Sequence, residues 1–294
     1  MTKKILLKSP AKLNLSLDIL DVVTKNKSQY HLLKMITQII DLVDYIEIFK
    51  SGSKKINIYN TGISIPLDRP EDNIIYKAAL KFFDETKILF TGVDIKISKN
   101  IPVQAGLGGG SSNAATTLIG LNKLFEAGLS KQKLQEIGST LGADVPLFFE
   151  SPTCLCEGIG EIITPLPDIN NIYFVIIKPE FGFSTAQVYK SFDKIINIKK
   201  RPDINKIIKA ISNSNIFEAK ESLYNVLEEA IDNQEIFKIK KLFEENGAVI
   251  SSMTGSGSAV FGIFRDKRTA QIAFNNLKNL YSNIFLSKPF NNLD

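Results

Sequence analysis

Between Pro102 and Leu118 the chain reads PVQAGLGGGSSNAATTL. Gly106, Gly108, Gly109 and Gly110 fall within five residues, and Ser111 and Ser112 follow at once. Glycine loses more conformational freedom on folding than any other residue. A cluster of four therefore needs a backbone turn that side chains forbid, or something that comes very close to the backbone. Ala114, Leu118, Leu121 and Phe125 then recur at helical spacing, which predicts a helix beginning near Ser111 or Ser112. A helix start offers unpaired N–H groups and roughly half a positive charge. Bare glycines let an anion reach those amides and the serine hydroxyls add donors, so the chemistry is that of a phosphate cradle. A tight strand-to-helix turn with serine caps is the plainer alternative, and it rarely needs four glycines.

The common phosphate loops do not fit. No lysine follows the glycines as the Walker pattern requires, and the last position of a dinucleotide fingerprint would fall on Ser111. The one histidine, His31, is followed by leucine and not by Arg-Asp, so the protein-kinase catalytic loop is missing. Other residues could nevertheless do chemistry. Lys12 and Asn14 share the polar side of an alternating segment, where a surface lysine would also be unremarkable. Asp144, in GADVP, follows a predicted helix end, a place where aspartate also serves turns. Gly255-Ser256-Gly257-Ser258 is a second glycine turn, read either as a hairpin connection or as a further set of amides.

The elements that would position these groups alternate along the chain. KLNLSLDIL is the clearest strand, with Leu13, Leu15, Leu17 and Ile19 on one side and Lys12, Asn14, Ser16 and Asp18 on the other. VDIKISK alternates in the same way, and SKQKLQEIGSTLG reads as a helix capped by Ser130 and ending at Gly142. The second half predicts a strand in IYFVIIKP, then helices in INKIIKAIS, FEAKESLYNVLEEAI and QEIFKIKKLFEE. It closes with a strand–glycine turn–strand in AVISSMTGSGSAVFGIF, a helix in RTAQIAFNNLKNL and a last strand in IFLSKPF. Strands followed by helices in each half predict two α+β lobes dividing near residues 150–160.

Bulk properties narrow the function classes. The 294 residues carry 36 Lys+Arg against 31 Asp+Glu, a net charge of +5, but the lysines are scattered. A nucleic-acid footprint would cluster, so these charges are read as solvated surface and no nucleic-acid partner is expected. Cys154 and Cys156, one residue apart, are poorly spaced for a disulfide and too few for structural zinc. The N-terminal apolar run is three residues long and no run approaches a membrane span, so the expected compartment is the cytoplasm, without a membrane partner.

PVQAGLGGGSSNAA resembles the P-x3-G-L-G-x-S-S-A-A loop of the GHMP small-molecule kinases, which include galactokinase and the homoserine, mevalonate and phosphomevalonate kinases. SPAKLNLSLDI and SMTGSGSAVFGIF resemble two further blocks of that family. YH at 30 and 31, DNIIYKAA at 72–79 and LGADVPLFF at 141–149 are similar to its branch acting on CDP-methylerythritol. The resemblance is collinear from Lys8 to Phe264.

It implies a two-lobe α+β fold, with an N-terminal ribosomal-protein-S5-like ATP-binding lobe over residues 1–155 and a C-terminal ferredoxin-like lobe over 156–294, the active site lying between them. It implies ATP-dependent phosphorylation of the 2-hydroxyl of the methylerythritol unit in isoprenoid precursor synthesis. Lys12 and Asp144 would be the catalytic pair. Pro102, Val103, Gln104, Ala105, Gly106, Leu107, Gly108, Gly109, Gly110, Ser111 and Ser112, with Asn73 and Lys99, would bind ATP. Asn14, Tyr30, His31, Tyr189, Gly255 and Ser256 would meet the substrate, the Tyr-His pair at the cytosine. Asn73 could equally be a helix cap, Lys99 a solvated strand end and Tyr189 a core aromatic. Magnesium would arrive with ATP, held by phosphates, waters and Ser111. The chain would be a monomer or weak homodimer. The alternatives are another kinase of the family, such as a homoserine or mevalonate kinase, and a non-catalytic nucleotide-binding relative.

Overall fold

The computed structural model describes residues 3–25, 28–65 and 69–290. Its contacts divide the chain into two compact units. One holds Met1–Ala11, Leu42–Val103 and Gly108–Glu150, and the other holds Lys12–Asp41, Gln104–Leu107 and Ser151–Asp294. Two long paired strands, β1 (Lys4–Lys25) and β2 (Ser28–Lys50), each contribute residues to both units.

In the first unit, β4 (Val93–Lys99) pairs antiparallel with the C-terminal part of β2, Tyr45 opposite Ser98 through Lys50 opposite Val93. It pairs parallel with β3 (Ile56–Gly62). The apolar side of this sheet, Ile46, Ile48, Val93, Ile95 and Ile97, is buried against helices. These are α1 (Ile74–Thr86), α2 (Gly109–Phe125) and α3 (Lys131–Ser139). The small residues of α2 let it lie close to the sheet. A Cβ on Gly120 would come within 2.6 Å of Ile48 Cδ1, and Ala114 and Ala115 are fully buried. Phe82, Phe83, Phe90 and Phe125 form an aromatic cluster with ring centroids 4.7–6.4 Å apart.

In the second unit the N-terminal part of β2 pairs antiparallel with β5 (Thr153–Gly158), which pairs with β6 (Ile162–Pro165). A separate antiparallel sheet has the order β10-β7-β9-β8, built from β7 (Tyr173–Ile177), β8 (Ile250–Met253), β9 (Val260–Phe264) and β10 (Ile284–Ser287). Its helices are α4 (Thr185–Phe192), α5 (Ile204–Ser212), α6 (Gln234–Glu245) and α7 (Lys267–Leu277). Of these, α6 and α7 contact the sheet, burying Phe243, Ala270 and Ala273 with Phe174 and Phe261. Among the described residues no helix is long and apolar enough to cross a membrane.

Three local expectations need correction. Helix α2 begins at Gly109, ahead of the serines, because Gly108 takes left-handed φ of +68° and serves as the N-cap. The stretch predicted as one helix over FEAKESLYNVLEEAI is two 3₁₀ segments, Ile216–Ser222 and Val226–Ala230. Asn225 breaks it: its side chain donates to the carbonyls of Met253 and Gly255, both at 2.8 Å, and accepts from Leu227 N. The polar side of β1 faces no solvent, since Lys12, Asn14, Ser16 and Asp18 are all at most 6% exposed.

Candidate active site

Strand β1 carries Lys12 and Asn14 two residues apart, so both project from the same side. Both are buried, and the Lys12 ammonium donates to Asn14 Oδ1. Asn14 is held at three further points. Its N–H bonds Thr254 Oγ1 at 3.0 Å, and its amide nitrogen meets Thr37 Oγ1 at 3.2 Å and Met35 Sδ at 3.1 Å. The backbone of Lys12 donates to Leu107 O at 2.9 Å, tying the strand to the glycine loop.

The second glycine turn closes on the same place. A Cβ on Gly255 would lie 3.3 Å from Asn14 Oδ1 and 3.6 Å from both Lys12 Nζ and Gly106 O. Gly106 has φ of +74°, and a Cβ there would sit 2.3 Å from Thr254 O, so this position admits only glycine. Ala259 N donates to Ala105 O at 3.2 Å, and Ser256 Oγ lies 2.9 Å from Thr185 Oγ1. The result is an ammonium, an amide and two bare backbone turns gathered at one spot. That set can hold and neutralise anionic oxygens.

The loop continues into α2 in the other unit. Pro102 is buried and Val103 half-buried ahead of it, while Gln104 is exposed with φ of +52°. Gly108 supplies no side-chain cap, leaving the first turn of α2 without one. A Cβ on Gly109 would press within 2.9 Å of Ile101 Cγ2 and 3.1 Å of Lys99 Nζ. Gly110 is different: it is exposed, and a Cβ there would meet only Ile74 Cγ2, at 3.9 Å. Among the described residues of this unit no neighbour requires glycine at 110. Ser111 is half-buried, whereas Ser112 is fully buried with its hydroxyl 2.8 Å from Ser9 Oγ.

Lys99 is not solvated. It is 3% exposed and paired with Asp44 at 2.5 Å. Burial pushes its ammonium below the ordinary lysine range, and Asp44 pulls it back up. Asp44, wholly buried, also accepts from the amides of Asn100 and Ile101 at 2.7 and 2.8 Å and from Asn113 Nδ2 at 2.9 Å. It thereby fastens the end of β4 to the first turn of α2. Asn73 caps α1, accepting from Ile75 N at 2.9 Å. Asp144 lies half-buried in the turn after α3.

In the second unit His31 is gripped from α4. The rings of His31 and Tyr189 are 4.6 Å apart at 47°, and His31 Nε2 lies 2.7 Å from Asp193 Oδ1. Tyr30 is 39% exposed.

Asp44, Asn225, Thr254 and Asp193 escaped the motif reading, although two of them left a signal. Asp44 shares a strand face with Ile46 and Ile48, and a carboxylate among apolar residues at period two marks a buried charge that needs partners. Asn225 sits inside a helical pattern where asparagine is a poor helix former. Thr254 and Asp193 have no comparable mark.

Comparison with known proteins decides the family. The model of the GHMP kinases N terminal domain matches residues 73–151 and that of the GHMP kinases C terminal matches 195–283. The chain is 44% identical over 289 residues to 4-diphosphocytidyl-2-C-methyl-D-erythritol kinase of Clostridium perfringens, covering 97% of this chain and 98% of that one. The chain belongs to the GHMP kinases. A similarly named relative from Clostridium botulinum is 44% identical over 283 residues, covering 96% and 98%. The crystal structure of a 4-(cytidine 5'-diphospho)-2C-methyl-D-erythritol kinase superposes with a TM-score of 0.80 at 26% identity, covering 96% of this chain and 98% of that one. A homoserine kinase from Cytophaga hutchinsonii reaches 0.71 at 17% identity over 99% and 96%, a likeness of fold alone. This GHMP kinase is therefore a mixed α+β, two-lobe, ATP-dependent small-molecule kinase. Asp144 and the glycine loop fall within its N-terminal match, and Gly255 and Ser256 within its C-terminal match.

Proposed function

We propose that this GHMP kinase transfers the γ-phosphoryl group of ATP to the 2-hydroxyl of 4-diphosphocytidyl-2-C-methyl-D-erythritol, giving the 2-phosphate and ADP for isoprenoid precursor synthesis in the cytoplasm. The observation that carries this reading is 44% identity over 97% of the chain to relatives of that name. Homoserine and mevalonate kinases share the fold at only 15–17% identity.

Phosphoryl transfer asks a protein mainly to position groups and to balance charge on the transferred oxygens. Lys12, desolvated on β1 and aimed by Asn14, supplies positive charge to those oxygens. Asp144 accepts or orients the proton of the substrate hydroxyl. The amides of Gly106–Ser112 receive the ATP phosphates, and Asn73 and Lys99 serve the adenosine half. Tyr30, His31 and Tyr189 meet the cytosine, while Asn14, Gly255 and Ser256 hold the phosphorylated end of the substrate. Mg²⁺ enters on the ATP phosphates. An ion of this kind keeps several waters and takes few protein ligands. When bound it would neutralise phosphate charge, and Ser111 would be its side-chain ligand.

The test is ADP production with Mg-ATP and, in turn, 4-diphosphocytidyl-2-C-methyl-D-erythritol, homoserine and mevalonate. Turnover of the cytidine compound alone, abolished in Asp144→Asn, is the expected result. Turnover of another acceptor moves the chain to a different GHMP activity. ATP binding with no turnover on any acceptor makes it a nucleotide-binding relative.

A further inference from the structure

His31 is the only histidine of the chain, and one face of α4 holds its ring. Tyr189 and Asp193 are four residues apart, so a single helical turn brings both to the same side. The Tyr189 ring lies tilted against the imidazole, and Asp193 Oδ1 lies 2.7 Å from Nε2. Asp193 also ends the helix, its N–H bonding the carbonyls of Tyr189 and Ser191. A carboxylate at a helix C-terminus opposes the macrodipole, so the helix itself gives no reason for an acid there. The imidazole does. With the Asp193 side chain 40% exposed, the contact adds little stability. Its effect is on which nitrogen carries hydrogen. An ionised carboxylate can only accept, so Nε2 must be the donor, and in a neutral ring the lone pair is then left on Nδ1.

We propose that Asp193 is a positioning residue that fixes His31 as the Nε2–H tautomer, so that Nδ1 selects a pyrimidine bearing an amino group at ring position 4 over one bearing a carbonyl. The proposal rests on the reading above that His31 meets the base of the substrate. An amino group donates into the Nδ1 lone pair. A carbonyl at the same place sets two acceptors against each other, and a ring held by Asp193 cannot answer by moving its hydrogen to Nδ1. A site built around one hydrogen-bond polarity rejects the opposite polarity more strongly than apolar contact can. Without Asp193 both tautomers are available, and the ring serves an oxo base about as well as an amino base.

A chain with a single histidine makes the tautomer directly readable. Full-length protein labelled with ¹⁵N in the imidazole is recorded above the ordinary imidazole titration range, as wild type, Asp193→Ala and Asp193→Asn. In parallel, kcat/KM is measured for 4-diphosphocytidyl-2-C-methyl-D-erythritol and for its uridine counterpart. The wild type should show a protonated Nε2 and a bare Nδ1. Asp193→Ala should show averaged ring nitrogens and lose about tenfold of its cytidine-over-uridine preference, with KM for ATP unchanged. Asp193→Asn, whose amide oxygen can still accept from Nε2–H, should fall between. Hydrogen on Nδ1 in the wild type overturns the proposal, as does an Asp193→Ala protein that keeps both tautomer and preference. If the wild type phosphorylates neither nucleotide, the substrate reading fails, and the ring spectrum still decides whether Asp193 sets the tautomer.

Discussion

Replacing Gly110 by alanine separates what the glycine loop does for the fold from what it does for a ligand. The added methyl has room, because its nearest neighbour would be Ile74 Cγ2 at 3.9 Å, an ordinary contact. The backbone needs no left-handed φ at this position, and Gly110 lies in the first turn of α2. Alanine there costs less unfolded-chain entropy than glycine, a gain of about 0.5 kcal/mol and a rise in Tm of about 1–2 °C. A phosphate oxygen bonded to the amides of this turn would sit about 2.9 Å from nitrogen, in space the methyl crowds. A tenfold rise in KM for ATP corresponds to about 1.4 kcal/mol, a modest share of what several amide–phosphate bonds supply. The assays are thermal unfolding of the ligand-free protein and initial rates against ATP concentration. The expected pattern is opposite signs, a slightly firmer fold and at least tenfold weaker ATP use. A raised Tm with unchanged KM for ATP would refute the argument that Gly110 is bare for the sake of a ligand. A lowered Tm would show that the methyl does not fit beside Ile74.

Gly106→Ala should behave in the other way. Its Cβ would begin 2.3 Å from Thr254 O, so the two turns must part by at least about 0.7 Å, in a left-handed residue that costs a further 1–2 kcal/mol. A loss of about 2–4 kcal/mol in denaturant unfolding is expected, with kcat/KM down about a hundredfold as Gly255 shifts from Lys12 and Asn14. Wild-type stability in this variant would count against the fit described here. Asp18 offers a test by pH. Burial raises its carboxyl above the ordinary range, outweighing Arg201 at 2.6 Å. The folded protein therefore holds that proton more tightly than the unfolded chain, and wild-type stability falls as pH climbs from the unfolded pKa through the raised one. Asp18→Asn lacks this slope, so its stability relative to wild type should improve as pH rises above the ordinary carboxyl range. Parallel profiles would show that Arg201 offsets the desolvation.

The parts of the fold that could be read ahead were those whose residues obey one period. The alternation in VDIKISK returned as β4 and the cap at Ser130 as the start of α3. The glycine loop was legible because its composition has few other uses. What could not be read was set by distant partners. Alternation in KLNLSLDIL predicted a strand correctly, yet it usually separates core from solvent, and here both sides are covered. The helix predicted through Asn225 failed because a side chain spent on Met253 and Gly255 outweighs local propensity. Lys99 could pass for a strand end because its partner, Asp44, is 55 residues away. Asp193 was invisible for the same reason, at 162 residues from His31.

The backbone N–H of Asn14 donates to Thr254 Oγ1, a partner 240 residues later in the chain. On the ribosome, at about 5–20 residues per second, β1 must wait at least some 12 seconds for Thr254 to be made. Until then Asn14 has only its nearer partners, Met35 and Thr37, to hold it. A chain cut short before the second glycine turn would hold the whole glycine loop and both proposed catalytic residues, and still lack one of the contacts that order Asn14. With Lys12 and Asn14 in the roles proposed above, turnover is expected only of the finished molecule.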